Sequence, residues 1–117
     1  MAYESRIYIV EEPATTLEIG GKKWCNQLAT LNLSRCDDGF VELFTTESPY
    51  YIEDDNQQPV VRDLYGGPLK MATAREVMAW LEPRAEKYRR YAMALSLLES
   101  ICSAWDIDKV AVVHYGY

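Results

Sequence analysis

The sequence predicts an α+β protein in which an antiparallel sheet of about five or six strands carries two helices on one face. Three observations lead to this prediction. Short β-branched and aromatic segments, separated by tight turns, fill the first part of the chain. An amphipathic repeat at three and four residues then occupies residues 84–104. An apolar segment at 109–117 closes the chain and predicts a strand that returns to the sheet.

Strands are indicated where apolar and polar residues alternate between clusters of Gly, Pro, Asp and Asn. Gly20-Gly21 is typical of a hairpin, because both residues accept a positive φ. Segment 23–35 fits an alternating strand, although its apolar residues also fit a short helix over 23–31. The segments with the strand pattern are 5–10, 15–19, 23–35, 40–46, 50–52 and 60–65.

The period of the apolar residues changes to that of a helix after residue 72. Thr73 and Glu76 form a capping box, in which the hydroxyl accepts a free backbone amide and the carboxylate reaches back. The box predicts a helix over about 73–82, which Pro83 ends because proline disfavours helical geometry in the residue before it. A second helix is predicted over 84–104. The apolar stripe that we expect it to lay on the sheet consists of Tyr88, Tyr91, Leu95, Leu98, Cys102 and Trp105.

Length and composition predict one domain, 1–117, because 117 residues is a common domain size and neither a linker nor a repeat interrupts the chain. The first apolar run contains Glu4 and Arg6, which argues against a signal peptide. No segment approaches the roughly 20 apolar residues of a membrane span. Three widely spaced cysteines are typical of reduced thiols. We therefore expect a cytoplasmic protein without a membrane segment.

Charge is distributed unevenly along the chain, whose net charge is −6. Residues 1–63 hold 5 basic and 12 acidic side chains, giving −7, whereas residues 64–117 hold 7 and 6, giving +1. Direct binding to nucleic acid through its phosphates is not expected, since that needs clustered Lys and Arg. The strand-rich part is instead predicted to present an acidic surface, which either keeps the protein in solution or attracts a basic partner.

Catalytic and metal sites have little support in the residue pattern. His114 is the single histidine and lies in a predicted strand, where a structural role is the ordinary interpretation. Cys25 or Cys36 remains open as a spatial partner for it. The cysteine spacing does not fit zinc, and Pro59 stands where a calcium loop would need glycine. We expect no cofactor and no metal.

Two groups of residues are candidates for binding. An acidic turn is expected to meet Asp63 across a hairpin, and it is interpreted as a solvated turn, a site for a basic partner, or an acid–base pair. Three tyrosines nearby are candidates for an aromatic pocket that holds a small ligand such as a nucleotide. The candidate binding residues are Glu53, Asp54, Asp55, Asp63, Tyr50, Tyr51 and Tyr65.

Three further segments carry a resemblance: Tyr-Glu-Ser-Arg-Ile-Tyr-Ile-Val at 3–10, Tyr-Gly-Gly-Pro-Leu-Lys at 65–70 and Val-His-Tyr-Gly-Tyr at 113–117. With them the chain resembles small uncharacterised proteins of bacteriophages and prophages. The resemblance covers most of the chain and carries no catalytic signature or site residue. It implies a setting in which small acidic proteins bind and block host factors, including defence complexes such as CRISPR effectors.

The leading functional hypothesis is a non-enzymatic binding protein that inhibits a host or defence protein through its acidic surface. The expected partner is a host protein, with a basic nucleic-acid-binding protein as one form, and a homodimer is a further interpretation of the mixed-charge helical half. The alternatives are a protein that binds or sequesters a nucleotide-like ligand, and a small enzyme. The enzyme would use His114 or the carboxylates of Glu53, Asp54, Asp55 and Asp63.

Overall fold

The computed structural model describes residues 4–12 and 18–117, so residues 15–17 of the predicted strand 15–19 lie outside the described residues. Within these ranges an α+β fold with a five-stranded antiparallel sheet confirms the predicted fold class. The strands are β1 (Ser5–Glu11), β2 (Glu18–Ile19), β3 (Lys22–Lys23), β4 (Asn26–Ser34), β5 (Thr46–Glu47), β6 (Ile52–Glu53), β7 (Pro59–Val60), β8 (Lys70–Thr73) and β9 (Val110–Gly116). The helices are α1 (Asp38–Val41), α2 (Ala74–Leu81) and α3 (Arg89–Ala104), with 3₁₀ turns at Glu82–Arg84 and Ile107–Lys109.

The main sheet has the strand order β4-β1-β9-β8-β5, and every neighbouring pair is antiparallel. Ile7 of β1 pairs with Leu31 of β4 on one side and with His114 of β9 on the other. β9 lies between β1 and β8, which confirms the prediction that the C-terminal strand returns to the sheet. The internal positions of β1 and β9 pair both of their edges with neighbouring strands, and packing on both sides of the sheet keeps their apolar faces from water.

Both faces of the sheet are covered, and alternation along the strands divides the core into two layers. Ile7, Ile9 and Val112 face α2 and α3, which pack on one face as predicted. Val10 and Val113 point the opposite way. Short hairpins and loops from the segments between β3 and β8 cover this second face. The sheet is therefore the middle layer, with the helices on one side and the acidic turns on the other.

α2 begins as the capping box predicts. The Thr73 hydroxyl accepts a hydrogen bond from the Glu76 amide and donates one to the Glu76 carboxylate, both at 3.1 Å. Ala74, Val77 and Leu81 are the buried residues of the helix, and their spacing places them on one face against the sheet. Pro83 lies in the 3₁₀ turn that follows, so the first predicted helix ends where proline requires it.

The second helix is shorter than the predicted 84–104: α3 begins at Arg89 and ends at Ala104. Tyr88 has an extended backbone, with φ −145° and ψ 119°, and its hydroxyl donates to the Leu33 carbonyl at 3.1 Å. This contact with the end of β4 fixes residue 88 outside the helix, although its neighbours have helical spacing. No helix within the described ranges is long and apolar enough to cross a membrane.

The buried stripe of α3 consists of Tyr91, Ala94 and Leu98. Tyr88, Leu95 and Cys102 are half-buried against the same core, so most of the predicted stripe is confirmed. Trp105 is the exception: its side chain is 40% exposed, and its place in the stripe was wrong. The extended backbone of Trp105 at the end of α3 takes it off the helical repeat.

Several predicted strands are wrong or shorter than expected. Residues 40–46 are mostly α1 and a turn, and only Thr46–Glu47 pairs with the sheet. Phe40 and Phe44 have the spacing of one helical turn, and their rings pack edge to face at 5.3 Å inside the helix-side core. Segment 60–65 forms a strand only at Pro59–Val60, and the strand β8 was not predicted. Most of segment 23–35 is the strand β4 at Asn26–Ser34, so the alternative of a short helix over 23–31 was wrong.

Candidate functional site

His114 is buried in β9 and has a polar neighbour. Its Nε2 atom lies 2.8 Å from the Oγ of Ser5 on β1, and the two side chains are 5% and 0% exposed. The Phe44 ring is 5.0 Å from the imidazole, centroid to centroid. A serine and a histidine at hydrogen-bond distance are two parts of a nucleophilic site. Here both are enclosed by the core, so this conformation gives a substrate no access to them.

Burial lowers the pKa of His114 from 6.5 to about 4, and the negative charge of Asp63 opposes the shift only in part. The imidazole is therefore neutral at pH 7. A general base at neutral pH works best with a pKa close to the working pH. The pair of Ser5 and His114 is thus better suited to satisfying polar groups inside the sheet than to catalysis.

The thiols are protonated rather than activated. Burial, together with the negative charges of Glu53 and Glu12, raises the pKa of Cys25 to about 12. Burial also raises the pKa of Cys36. A catalytic or metal-binding cysteine needs the opposite shift, toward thiolate. Among the described residues no three His, Cys, Asp or Glu side chains are grouped so that they could hold a metal ion.

The predicted acidic turn forms a hairpin, which we call the acidic hairpin (residues 52–60). Asp54 holds its loop, because one carboxylate oxygen accepts the amides of Asn56 and Gln58, each at 2.9 Å. The Glu53 amide donates to the Gln27 side chain of β4 at 2.6 Å, which attaches the hairpin to the edge of the main sheet. Asp55 is exposed at the tip. The hairpin thus presents carboxylates on a fixed backbone.

Asp63 does not lie across this hairpin from Glu53, whose partner is Pro59. It belongs to a separate turn, where one carboxylate oxygen accepts the amides of Tyr65 and Gly67, each at 3.0 Å. This is a turn-stabilising role for an aspartate. The expected pairing of the Glu53 and Asp63 carboxylates was therefore wrong: Glu53 lies in the acidic hairpin and Asp63 in a separate turn.

The three candidate tyrosines have different environments. Tyr50 and Tyr51 are 8% and 4% exposed, so their rings fill the core instead of lining an open pocket. The Tyr50 hydroxyl donates to Glu12 at 2.9 Å, and burial together with this bond raises its pKa to about 12. Tyr65 is 40% exposed and presents its ring at the surface. Of the three, only Tyr65 is open to a ligand.

A small acidic recess lies where the acidic hairpin meets β4. It has a volume of about 270 Å³. Trp24, which sequence analysis did not single out, lines the recess together with Glu53 and Asp54. The Glu53 carboxylate makes no hydrogen bond or ion pair within residues 4–12 and 18–117. The recess therefore combines free carboxylate oxygens with an aromatic ring. Its lining consists of Trp24, Cys25, Gln27, Glu53, Asp54 and Gln57.

A second cavity, of about 330 Å³, opens on the helix side and has the opposite charge. We call it the basic cleft; it is lined by Arg35, Asp37, Arg84, Lys87, Tyr88 and Tyr91. It forms where the loop after β4 meets the connection between α2 and α3. Sequence analysis missed it because its two halves are far apart in the chain.

Hydrogen bonds and ring contacts fix the walls of the basic cleft. The Arg84 guanidinium lies 4.1 Å from the centroid of the Trp80 ring and donates to the Trp80 carbonyl at 2.8 Å. The Tyr91 hydroxyl accepts the Asp37 amide at 3.1 Å, and burial raises the pKa of this tyrosine to about 12. The cleft therefore has an ordered cation on one wall and the protonated phenol of Tyr91 on another.

Comparison with known proteins gives no relative: no family model matches the chain, and no curated protein or solved structure is significantly similar to it.

Proposed function

We propose that this chain is a non-enzymatic binding protein whose acidic hairpin receives a basic partner. The observation that supports this most directly is the acidic recess, in which Trp24, Glu53 and Asp54 line one cavity. An exposed acidic loop alone serves solubility. An indole beside two carboxylates is the combination that recognises an ammonium or guanidinium group.

The recess fits the end of one Lys or Arg side chain. A cation over an indole gains about 0.5–1 kcal/mol at an exposed site, and a charged hydrogen bond to a carboxylate adds specificity. The carboxylates act on their surroundings at short range, since the charge of Glu53 contributes to the raised pKa values of Cys25 and Tyr51. The same negative field steers a basic protein toward the hairpin and orients it there.

The partner in this proposal is a basic nucleic-acid-binding protein of the host. Such a protein has a groove of Lys and Arg that accepts phosphates, and a rigid acidic surface competes for that groove. The resemblance to small phage proteins favours an inhibitory outcome. In this mechanism the acidic hairpin occupies the groove and excludes nucleic acid, and no bond is made or broken.

A charge-reversed variant, Glu53→Lys with Asp55→Lys, tests the proposal. Asp54 is left unchanged because its carboxylate holds the hairpin loop. The matched control is Glu42→Lys with Glu99→Lys, which changes the net charge equally at two exposed positions away from the hairpin. Each tagged protein is used in a pull-down from bacterial lysate, with and without nuclease, and retained proteins are identified by mass spectrometry.

We expect the unmodified protein and the control variant to retain the same basic protein, whether or not nuclease is added. The hairpin variant should retain at least tenfold less, and retention should fall as salt is raised because the charges are exposed. Equal retention by all three proteins would remove the hairpin from the interaction. An unmodified bait that retains no basic protein would contradict the proposal itself.

A further inference from the structure

We propose that the basic cleft is a binding site for a nucleoside phosphate, with the phosphate held by Arg35, Arg84 and Lys87. This goes beyond the proposed function, because the cleft lies on the helix side of the sheet and the acidic hairpin covers the opposite side. It also places the nucleotide-like ligand away from Tyr50, Tyr51 and Tyr65.

Charge is the first argument for an anionic ligand. Three cations and the single carboxylate of Asp37 give the cleft lining a charge of +2, in a chain whose net charge is −6. Within the described residues neither Arg35 nor Lys87 belongs to an ion pair, since the two pairs formed there are Lys22–Glu47 and Arg75–Asp108. A phosphate dianion relieves this repulsion.

The geometry of Arg84 is the second argument. Its guanidinium plane is held against the Trp80 ring, and one terminal nitrogen is already bonded to the Trp80 carbonyl. A guanidinium has five N–H donors, so others remain for a ligand. Ordering the side chain in advance lowers the entropy lost on binding. Arg84 is thus placed as the orienting contact, with Arg35 and Lys87 as exposed cations on the rim.

Size and polarity argue for more than a bare phosphate. A cavity of about 330 Å³ is at the lower end of the range for small-molecule sites, which begins near 300 Å³. The half-buried Tyr88 ring lies on its wall, and aromatic rings stack on nucleobases. Asp37 adds an acceptor among the cations, and a carboxylate commonly receives a ribose hydroxyl in nucleotide sites.

Isothermal titration calorimetry on the full chain at low salt tests the assignment. The probes are adenosine, AMP, ADP, GMP, ribose 5-phosphate and inorganic phosphate. The cleft variant is Arg35→Gln with Lys87→Gln, both at exposed positions, so the fold should be retained; circular dichroism checks this. The matched control is Arg75→Gln with Lys109→Gln, which removes the same charge from exposed positions outside the cleft.

We expect a nucleoside phosphate to bind, with adenosine and inorganic phosphate each at least tenfold weaker and with affinity falling as salt rises. The cleft variant should lose at least tenfold in affinity while the control keeps it. Asp37→Asn should weaken the nucleotide relative to inorganic phosphate, whose affinity should rise because the lining loses its one negative charge. Binding of adenosine or of inorganic phosphate as tightly as AMP, equal binding by the cleft variant, or no binding by any probe would each overturn the assignment. None of these outcomes depends on the acidic hairpin, so the two proposals fail separately.

Discussion

The imidazole of His114 and the hydroxyl of Ser5 form a polar pair at 2.8 Å between the adjacent strands β9 and β1. Both residues are buried, and the rings of Phe40 and Phe44 lie 6.4 and 5.0 Å from the imidazole, centroid to centroid. In the folded protein His114 therefore has a partner for its neutral form and no solvent to stabilise its charged form.

This environment predicts a loss of stability on mild acidification. The pKa of His114 is about 4 in the folded protein and near 6.5 when the chain is unfolded. Between these values the unfolded chain binds a proton that the folded chain does not, so the free energy of unfolding falls as the pH falls. Above pH 6.5 the contribution is complete. The full difference is about 3 kcal/mol.

Urea unfolding at pH 7, 6 and 5 measures the effect. The chain has one histidine, so the wild-type decrease over this range is expected to disappear in His114→Gln. The glutamine variant is compared by its slope against pH and not by its absolute stability, which repacking also changes. A flat wild-type profile, or equal slopes in the two proteins, would contradict the proposed state of His114.

The acidic hairpin should distinguish two adjacent aspartates. Asp54→Ala removes the acceptor for two loop amides, and we expect a loss of about 1 kcal/mol in the free energy of unfolding. Asp55→Ala removes the same charge from an exposed side chain and should stay within about 0.5 kcal/mol of wild type. Chemical denaturation of both variants gives the comparison. Equal losses in the two variants would mean that the removed charge, and not the lost hydrogen bonds, lowers the free energy of unfolding.

The capping box of α2 has its own test. Thr73→Ala should cost about 1 kcal/mol, because the Glu76 amide loses its acceptor at the start of the helix. Thr73→Ser keeps an acceptor oxygen and should remain close to wild type. Serine has a lower strand propensity than threonine. If position 73 matters mainly as part of the strand β8, Thr73→Ser should therefore also lower the stability of the protein. Thermal melts followed by circular dichroism separate these two causes.

Truncation to alanine should destabilise the protein more at Leu98 than at Trp105, although tryptophan is the larger side chain. Leu98 is 0% exposed, and Leu98→Ala should cost about 2–5 kcal/mol through lost burial and a cavity. Trp105 is the larger side chain but is 40% exposed, so Trp105→Ala should cost under about 1 kcal/mol. The melting temperatures of the two variants measure which substitution destabilises the protein more. A larger loss for Trp105→Ala would return this residue to the core.

Local sequence patterns correctly predicted those strands and helices whose local preference is the same as the structure they adopt in the fold. β1 and β9 are continuous apolar segments, and the hydroxyl and carboxylate of the capping box specify where α2 begins. Phe40 and Phe44 show the limit. Aromatic residues four apart fit both a strand and a helical turn, and here both rings are buried in the helix-side core, with Phe40 in α1 and Phe44 just after it.

The candidate sites depended even more on contacts distant in sequence. The acidic hairpin is continuous in the chain, so its carboxylates were found, whereas Trp24 reaches the recess from the link between β3 and β4. The basic cleft joins the loop after β4 to residues before and within α3. No local spacing connects Arg35 to Arg84, and a net charge of −6 gives no indication of a cationic site.

The place of β9 between β1 and β8 also bears on how the protein folds. The middle of the sheet joins the two ends of the chain, with Ile7 opposite His114. During synthesis β1 can pair early with β4, but its other edge stays open until β9 has left the ribosome. Pairing over so many residues makes loop closure a large part of the folding barrier, and such topologies fold slowly. We expect the nascent chain to expose an apolar strand edge until β9 emerges, which makes this interval the one most exposed to aggregation.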